Sequence, residues 1–431
     1  VGLCEPSRIG GTCVIRGCIP KKLMRYGATF AEHFEAAPAY GWRIRKPEHD
    51  WGALIDARDR EIERLNGVYI GMLERAGVRL FPERGVLVDE HTVEVGGERF
   101  TAERILVAVG ARPSLPVLPG VENTITSDFV LEEMHRKPDR VVVVGAGYIG
   151  LELASILAGL GVETIMVLRR GLPLRGFDED VRAAVTEQLK NHGVEIRSDT
   201  VVTGIERRGE RLALATTAGE IDAAAALYAT GRGPKPNTEY LGLESLDLRL
   251  TPDGAIMVDD TYRSSVPHIY SVGDCSDHAA SGLDSGQFDL TPVAIAEGRV
   301  IAETLFNDNP HKVNYETIPT AVFSVPEVAQ AGLTEAGARE RRLDVEVYRA
   351  AFRPLKHTLT GMPVRTMMKM VVDRQSDRVL GCHMVGEDAA EIIQGLAVAM
   401  TAGATKHHFD ETVGLHPTAA EEFVTMYQAA T

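Results

Sequence analysis

Residues 140–168 constrain the fold of this chain more than any other stretch. Residues 140–144 are a continuous apolar strand, Gly145-Ala146-Gly147-Tyr148-Ile149-Gly150 is a turn, residues 151–161 are helical, and 164–168 form the next strand. A bare G-x-G-x-x-G is weak evidence. Set between a strand and a helix, with a second strand at this distance, it specifies a βαβ nucleotide-binding unit. Gly145, Gly147 and Gly150 then permit the tight turn and let backbone N–H groups approach a pyrophosphate at the helix N-terminus. The end of the second strand reports which nucleotide binds. An acid there would accept the ribose hydroxyls of NAD, but Leu168 takes the place and Arg169, Arg170 and Arg175 follow. Arginines pair with a 2′-phosphate through charge-assisted, often bidentate bonds, which points to NADP(H); a solvated basic face is the alternative.

A second motif carries chemistry. In Gly10-Gly11-Thr12-Cys13-Val14-Ile15-Arg16-Gly17-Cys18-Ile19-Pro20-Lys21-Lys22, the two cysteines can close a small strained disulfide at the start of a helix. A crosslink this local removes little chain entropy, so its use is chemical. A thiolate near a helix N-terminus and lysines is stabilised and can exchange with another disulfide. Cys4, Cys275 and Cys382 are scattered and read as reduced and structural. Five cysteines in 431 residues make no secreted disulfide framework and fit a reducing cytoplasm. No C-x2-C pair suggests a metal site, and His407-His408 reads as a solvated loop pair. The net charge of -15 argues against nucleic acid or an anionic membrane as the main partner, and no apolar run reaches the length of a membrane span.

The rest of the chain divides around these motifs. Residues 1–5 read as a short strand ending in Glu5, an acid placed to hold ribose hydroxyls, with no glycine turn ahead of it. The sequence is therefore expected to be a fragment lacking a first strand, glycine turn and helix. Leu23, Tyr26, Phe30 and Phe34 recur at helical spacing after Pro20, and a second helix covers residues 51–75. Short β-rich runs follow, the last ending at Gly110 before Pro113, where a domain boundary is expected. A similar strand-then-glycine stop ends at Gly231, and residues 268–274 form a strand closing on Gly273-Asp274. From about Tyr315, strands surrounding a helix over 388–402 suggest an appended α+β module. Near its end, His416 is followed five residues later by Glu421, a spacing that allows an oriented imidazole or a plain structural turn. The expected fold is α/β: two Rossmann-like dinucleotide-binding domains at 1–110 and 111–231, a returning segment at 232–314, and a C-terminal α+β dimerisation domain at 315–431.

Taken in this order over essentially the whole chain, the motifs resemble the flavin disulfide reductases of the glutathione reductase type. The resemblance implies FAD and NADPH as cofactors, glutathione disulfide as substrate, and a homodimer with shared active sites. It implies that Cys13 attacks the substrate disulfide, that Cys18 faces the flavin, and that His416 and Glu421 serve the other subunit's cysteines as an acid–base pair. Lys21 and Glu152 match an ion pair beside the flavin, and Tyr148 a ring gating the nicotinamide site. Glu5, Thr12, Asp274 and Thr291 match FAD contacts, with Gly11, Gly110 and Gly231 in the cofactor-binding turns. Tyr69 and Arg299 match residues at the glutathione site.

Related reductases fit less well. A lipoamide dehydrogenase is expected to carry an acid near Leu168. A high-molecular-weight thioredoxin reductase or a mercuric reductase is expected to carry tail cysteines, and residues 426–431 have none. A trypanothione reductase is expected to lack the arginine at Arg299. Two segments depart from the family pattern by being long, 278–289 and 232–238. The missing glycine turn of the expected fragment leaves a second reading, a flavin-free product that only binds NADPH or dimerises, and a reductase of another low-molecular-weight disulfide is a further alternative.

Overall fold

The computed structural model describes residues 1–45, 47–231, 236–279 and 288–430. Most of the long segments around 232–238 and 278–289 fall outside these.

The βαβ unit anticipated at Arg140 is the middle of a parallel four-stranded sheet. Its order is Ala225–Tyr228, Arg140–Val144, Glu163–Val167, Val194–Arg197. Val141, Val142 and Val143 are fully buried because successive side chains meet different layers. Val141 and Val143 pack with Leu153, Ile156 and Leu157 of the Tyr148–Gly159 helix. Val142 packs with Leu212, Leu214 and Ile221 of an antiparallel three-stranded layer on the other face. Each such side chain contributes roughly 1.5–3 kcal/mol by leaving water. Residues 223–229 form a seam between the layers: Gly219–Ala223 belongs to the antiparallel layer and Ala225–Tyr228 to the parallel sheet.

The Tyr148–Gly159 helix also joins this unit to the redox motif. Met24 and Ala28 of the Cys18–Ala36 helix share its core, and a Cβ on Gly159 would lie 2.9 Å from that of Ala28. In the N-terminal unit, Gly2–Cys4 pairs in parallel with Arg79–Phe81, and Ile105–Val107 pairs in parallel with Ile269–Ser271. Among the described residues no strand joins the two pairs. Glu5, Gly110 and Asp274 all follow the carboxyl ends of these strands, the side on which open α/β sheets bind ligands.

The C-terminal unit is a five-stranded antiparallel sheet, Thr320–Val322, Val328–Gly332, Val379–Val385, Thr366–Asp373, Val345–Phe352. The Ala389–Thr401 helix covers it through Ile393, Ala397 and Met400. Its link to the nucleotide unit is partly apolar, through Val322, Val328 and Val385 in the shared core, and partly ionic. Lys369 Nζ, almost wholly buried, reaches Asp178 at 2.8 Å, Asp180 at 2.6 Å and Glu335 at 2.8 Å. His407 and His408, expected in a loop, sit instead on the Lys406–Glu411 helix, where His408 and Thr405 form a reciprocal capping box.

Candidate active site

The redox motif folds as two helices sharing one corner. Gly10 and Gly11 take φ of +131° and +63°, a region that L side chains rarely adopt, and feed the Gly11–Arg16 helix. Gly17 then breaks the path; a Cβ there would stand 2.7 Å from Thr12 O, so only glycine lets the second helix begin at Cys18. The corner brings Cys13 and Cys18 together as free thiols, the open form of the disulfide expected from sequence. A hydrogen bond from Cys18 outweighs burial and, helped by Thr291 and the Lys21 ammonium, brings the Cys13 pKa down to about 6. The same contact and burial push Cys18 up. Thr291 Oγ1, at the start of the Thr291–Phe306 helix, is 4.0 Å from Cys18 Sγ.

One turn past Cys18, Lys21 Nζ lies 2.5 Å from Glu152 Oε1, with both side chains at least nine-tenths buried. Glu152 comes from the Tyr148–Gly159 helix and also accepts the Phe323 N–H at 2.8 Å. A buried pair of this kind is held by its extra hydrogen bond as much as by charge.

The nucleotide turn is shaped for a close backbone approach. A Cβ on Gly145 would meet Ala229 O at 2.3 Å, while Gly147, the helix N-cap, has open space before it. Tyr148 opens the helix and is exposed. Gly150 packs against Gly145 O. Leu168 is fully buried, and Arg169, Arg170 and Arg175 are exposed and engage no carboxylate among the described residues. Leu174 N–H donates to Ala146 O at 2.7 Å, tying the arginine loop to the glycine turn, a link with no local sequence signal. Open helix N-terminus and free guanidinium groups together fit a phosphorylated dinucleotide.

The residues matched to FAD fit the carboxyl-end surface of the N-terminal unit. Glu5 Oε1 accepts the Ser7 N–H at 2.9 Å, Thr12 is exposed in the first turn of its helix, and Gly110 has φ of +64°. Asp274 lies in the Gly273–Cys275 turn, whose Gly273 N–H donates to the buried Glu297. Gly231, with φ of +133°, is tied to Ser114 at the return from the nucleotide unit.

Tyr69 is half-exposed three residues after Asn66, whose Nδ2 donates to Ile9 O at 2.7 Å, so the same helix face borders the redox loop. Arg299 is exposed on the helix that Thr291 begins. His416 Nδ1 lies 3.1 and 3.0 Å from the two Glu421 oxygens, with the imidazole largely exposed. Among the described residues, no hydrogen bond or ion pair of one chain joins His416 to Cys13 or Cys18. Nor is any group of three or more His, Cys, Asp or Glu among them placed to hold a metal ion.

Residues 1–298 match the family model of the pyridine nucleotide-disulphide oxidoreductases, and residues 318–427 match the dimerisation domain of the same family. The chain belongs to this family. As a pyridine nucleotide-disulphide oxidoreductase it is an FAD- and NADPH-dependent enzyme. Among its relatives, glutathione reductase of Nostoc sp. is 47% identical, the match covering 99% of this chain and 94% of the relative. The chloroplastic/mitochondrial glutathione reductase of Pisum sativum is 46% identical over 97% of this chain and 74% of its own. That of Burkholderia cepacia is 44% identical over 99% and 92%. A solved structure, the HOCl-induced flavoprotein disulfide reductase RclA from Escherichia coli, superposes with a TM-score of 0.86 at 23% identity, covering 98% of this chain and 92% of that one, and shares the fold.

Proposed function

We propose that this protein reduces glutathione disulfide to glutathione with NADPH, through FAD and the Cys13–Cys18 pair. The observation that carries the reading is the thiol pair brought together at the Gly17 corner, with Cys18 one helical turn from the buried Lys21–Glu152 pair. When bound, NADPH and FAD supply the electron pair that opens the Cys13–Cys18 disulfide. The Cys13 thiolate then attacks one sulfur of glutathione disulfide, forming a mixed disulfide and releasing one glutathione as thiolate. His416, its tautomer set by Glu421, protonates that leaving group. Cys18 next attacks the mixed disulfide at Cys13, releases the second glutathione and restores the intramolecular disulfide.

The chain's other residues bind and orient. Arg169 and Arg175 hold the 2′-phosphate, Gly145, Gly147 and Gly150 open the turn to the pyrophosphate, and Tyr148 covers the nicotinamide site. Glu5, Gly11, Thr12, Gly110, Asp274, Thr291 and Gly231 hold FAD, and the Lys21 ammonium stabilises charge that develops beside it. Arg299 pairs with a glutathione carboxylate and Tyr69 borders the same site. His416 and Glu421 act on the cysteines of a second copy, in a homodimer built on the C-terminal unit.

Cys275 and Cys382, buried free thiols, support a reducing compartment such as the cytoplasm. No helix among the described residues is long and apolar enough to cross a membrane. The visible spectrum of the purified chain, before and after reconstitution with FAD, tests the reading: a bound-flavin band supports it. No binding after reconstitution would leave only the NADPH-binding or dimerising alternative.

A further inference from the structure

Phe323 stands between two lysines. Its ring centroid lies 4.4 Å from Lys21 Nζ and 3.8 Å from Lys22 Nζ. Its backbone N–H donates to Glu152 Oε1 at 2.8 Å, the same oxygen that Lys21 reaches at 2.5 Å. Around it, Lys21, Lys22 and Arg25 on one stretch of helix face two buried carboxylates, Glu152 and Glu327. Arg25 takes Glu327 at 3.0 Å, leaving Lys22 at 3.9 Å from it. Glu391 also favours the charge on Lys22, and the negative face of the aromatic ring is a further compensating group in contact with both ammonium groups. A leucine would fill much of the same volume without that face.

We propose that Phe323 is a positioning residue for the reaction, its backbone N–H fixing Glu152 and its ring holding the Lys21 ammonium in place. The residue belongs to the C-terminal unit, so that unit reaches into the redox site of its own chain while His416 serves another copy. The proposal rests on the reading of Lys21 as the cation beside FAD.

The test compares Phe323→Leu, Phe323→Tyr and Lys21→Gln as FAD-loaded enzymes, with flavin content and melting temperature measured for each. Phe323→Leu is expected to lower kcat about five- to thirty-fold, the fold-change of a partly desolvated cation–π contact. The KM for glutathione disulfide should stay unchanged and the midpoint potential of the bound flavin should become more negative. Phe323→Tyr, which keeps the ring face, should restore both kcat and potential. If Leu and Tyr behave alike, or if only KM moves, the proposal is overturned. If Lys21→Gln is impaired but Phe323→Leu is not, the proposal fails alone. If Lys21→Gln leaves kcat and potential unchanged, the reading beneath it fails as well.

Discussion

At Cys13 the acid–base state is set by contacts a few ångströms across. The Cys18 hydrogen bond leads, burial opposes it, and Thr291 and Lys21 add to it, so the thiol loses its proton at about 6 rather than at 9.0. The thiolate is the nucleophile, so reactivity must grow as the proton is lost. In the reduced protein, the rate of Cys13 alkylation by iodoacetamide should rise through about pH 6 and level off by neutrality. In Cys18→Ala, which removes the thiol donor, the inflection should move upward. A rate in the parent that climbs steadily to pH 9 would contradict the contact. The arginine loop gives a second residue-scale prediction. Replacing both Arg169 and Arg175 with Gln should raise the KM for NADPH by roughly 10- to 100-fold, the cost of charge-assisted bonds to one phosphate. The KM for NADH should barely change, and equal shifts for both nucleotides would contradict the assignment.

Among the elements, the junction at Lys369 couples the nucleotide unit to the C-terminal sheet. Asp178 caps the Glu179–Asn191 helix through the Asp180 N–H, accepts the Glu335 N–H, and pairs with Lys369. Burial opposes charge on Lys369, yet its hydrogen bonds to the three carboxylates raise its pKa. Lys369→Met leaves Asp178 buried without its cation and should cost about 3–5 kcal/mol in urea unfolding. Adding Asp178→Asn should recover part of that loss. This junction shows why legibility in the sequence was uneven. The βαβ unit at Arg140 was readable because strand, glycine turn and helix are contiguous and each has its own period. The Gly17 break is half-readable, since glycines precede Cys13 and separate it from Cys18 but the helix restart at Cys18 depends on the close approach of Thr12 O. Lys369, Phe323 and Glu297 were not readable at all. Their partners lie on other elements, and a buried charge or a ring over an ammonium leaves no local pattern. The Lys21–Glu152 pair was reached only through family resemblance, because its members lie 131 positions apart.

For the whole molecule, the chain holds its chemistry in two places. Cys13 and Cys18 sit at the helix corner of the N-terminal unit, and His416 and Glu421 sit at the far end of the C-terminal one. Coexpressed Cys13→Ser and His416→Gln chains test whether a site is shared. If His416 serves a second copy, each mixed dimer has one complete site, and activity should rise well above that of either parent. If each chain serves itself, every site lacks one group and no activity returns. The central claim is tested most directly by following NADPH oxidation by the FAD-loaded protein with glutathione disulfide, lipoamide or thioredoxin disulfide as acceptor. Rapid oxidation is expected with glutathione disulfide, abolished by Cys13→Ser. Oxidation supported by lipoamide or thioredoxin disulfide but not by glutathione disulfide would contradict it.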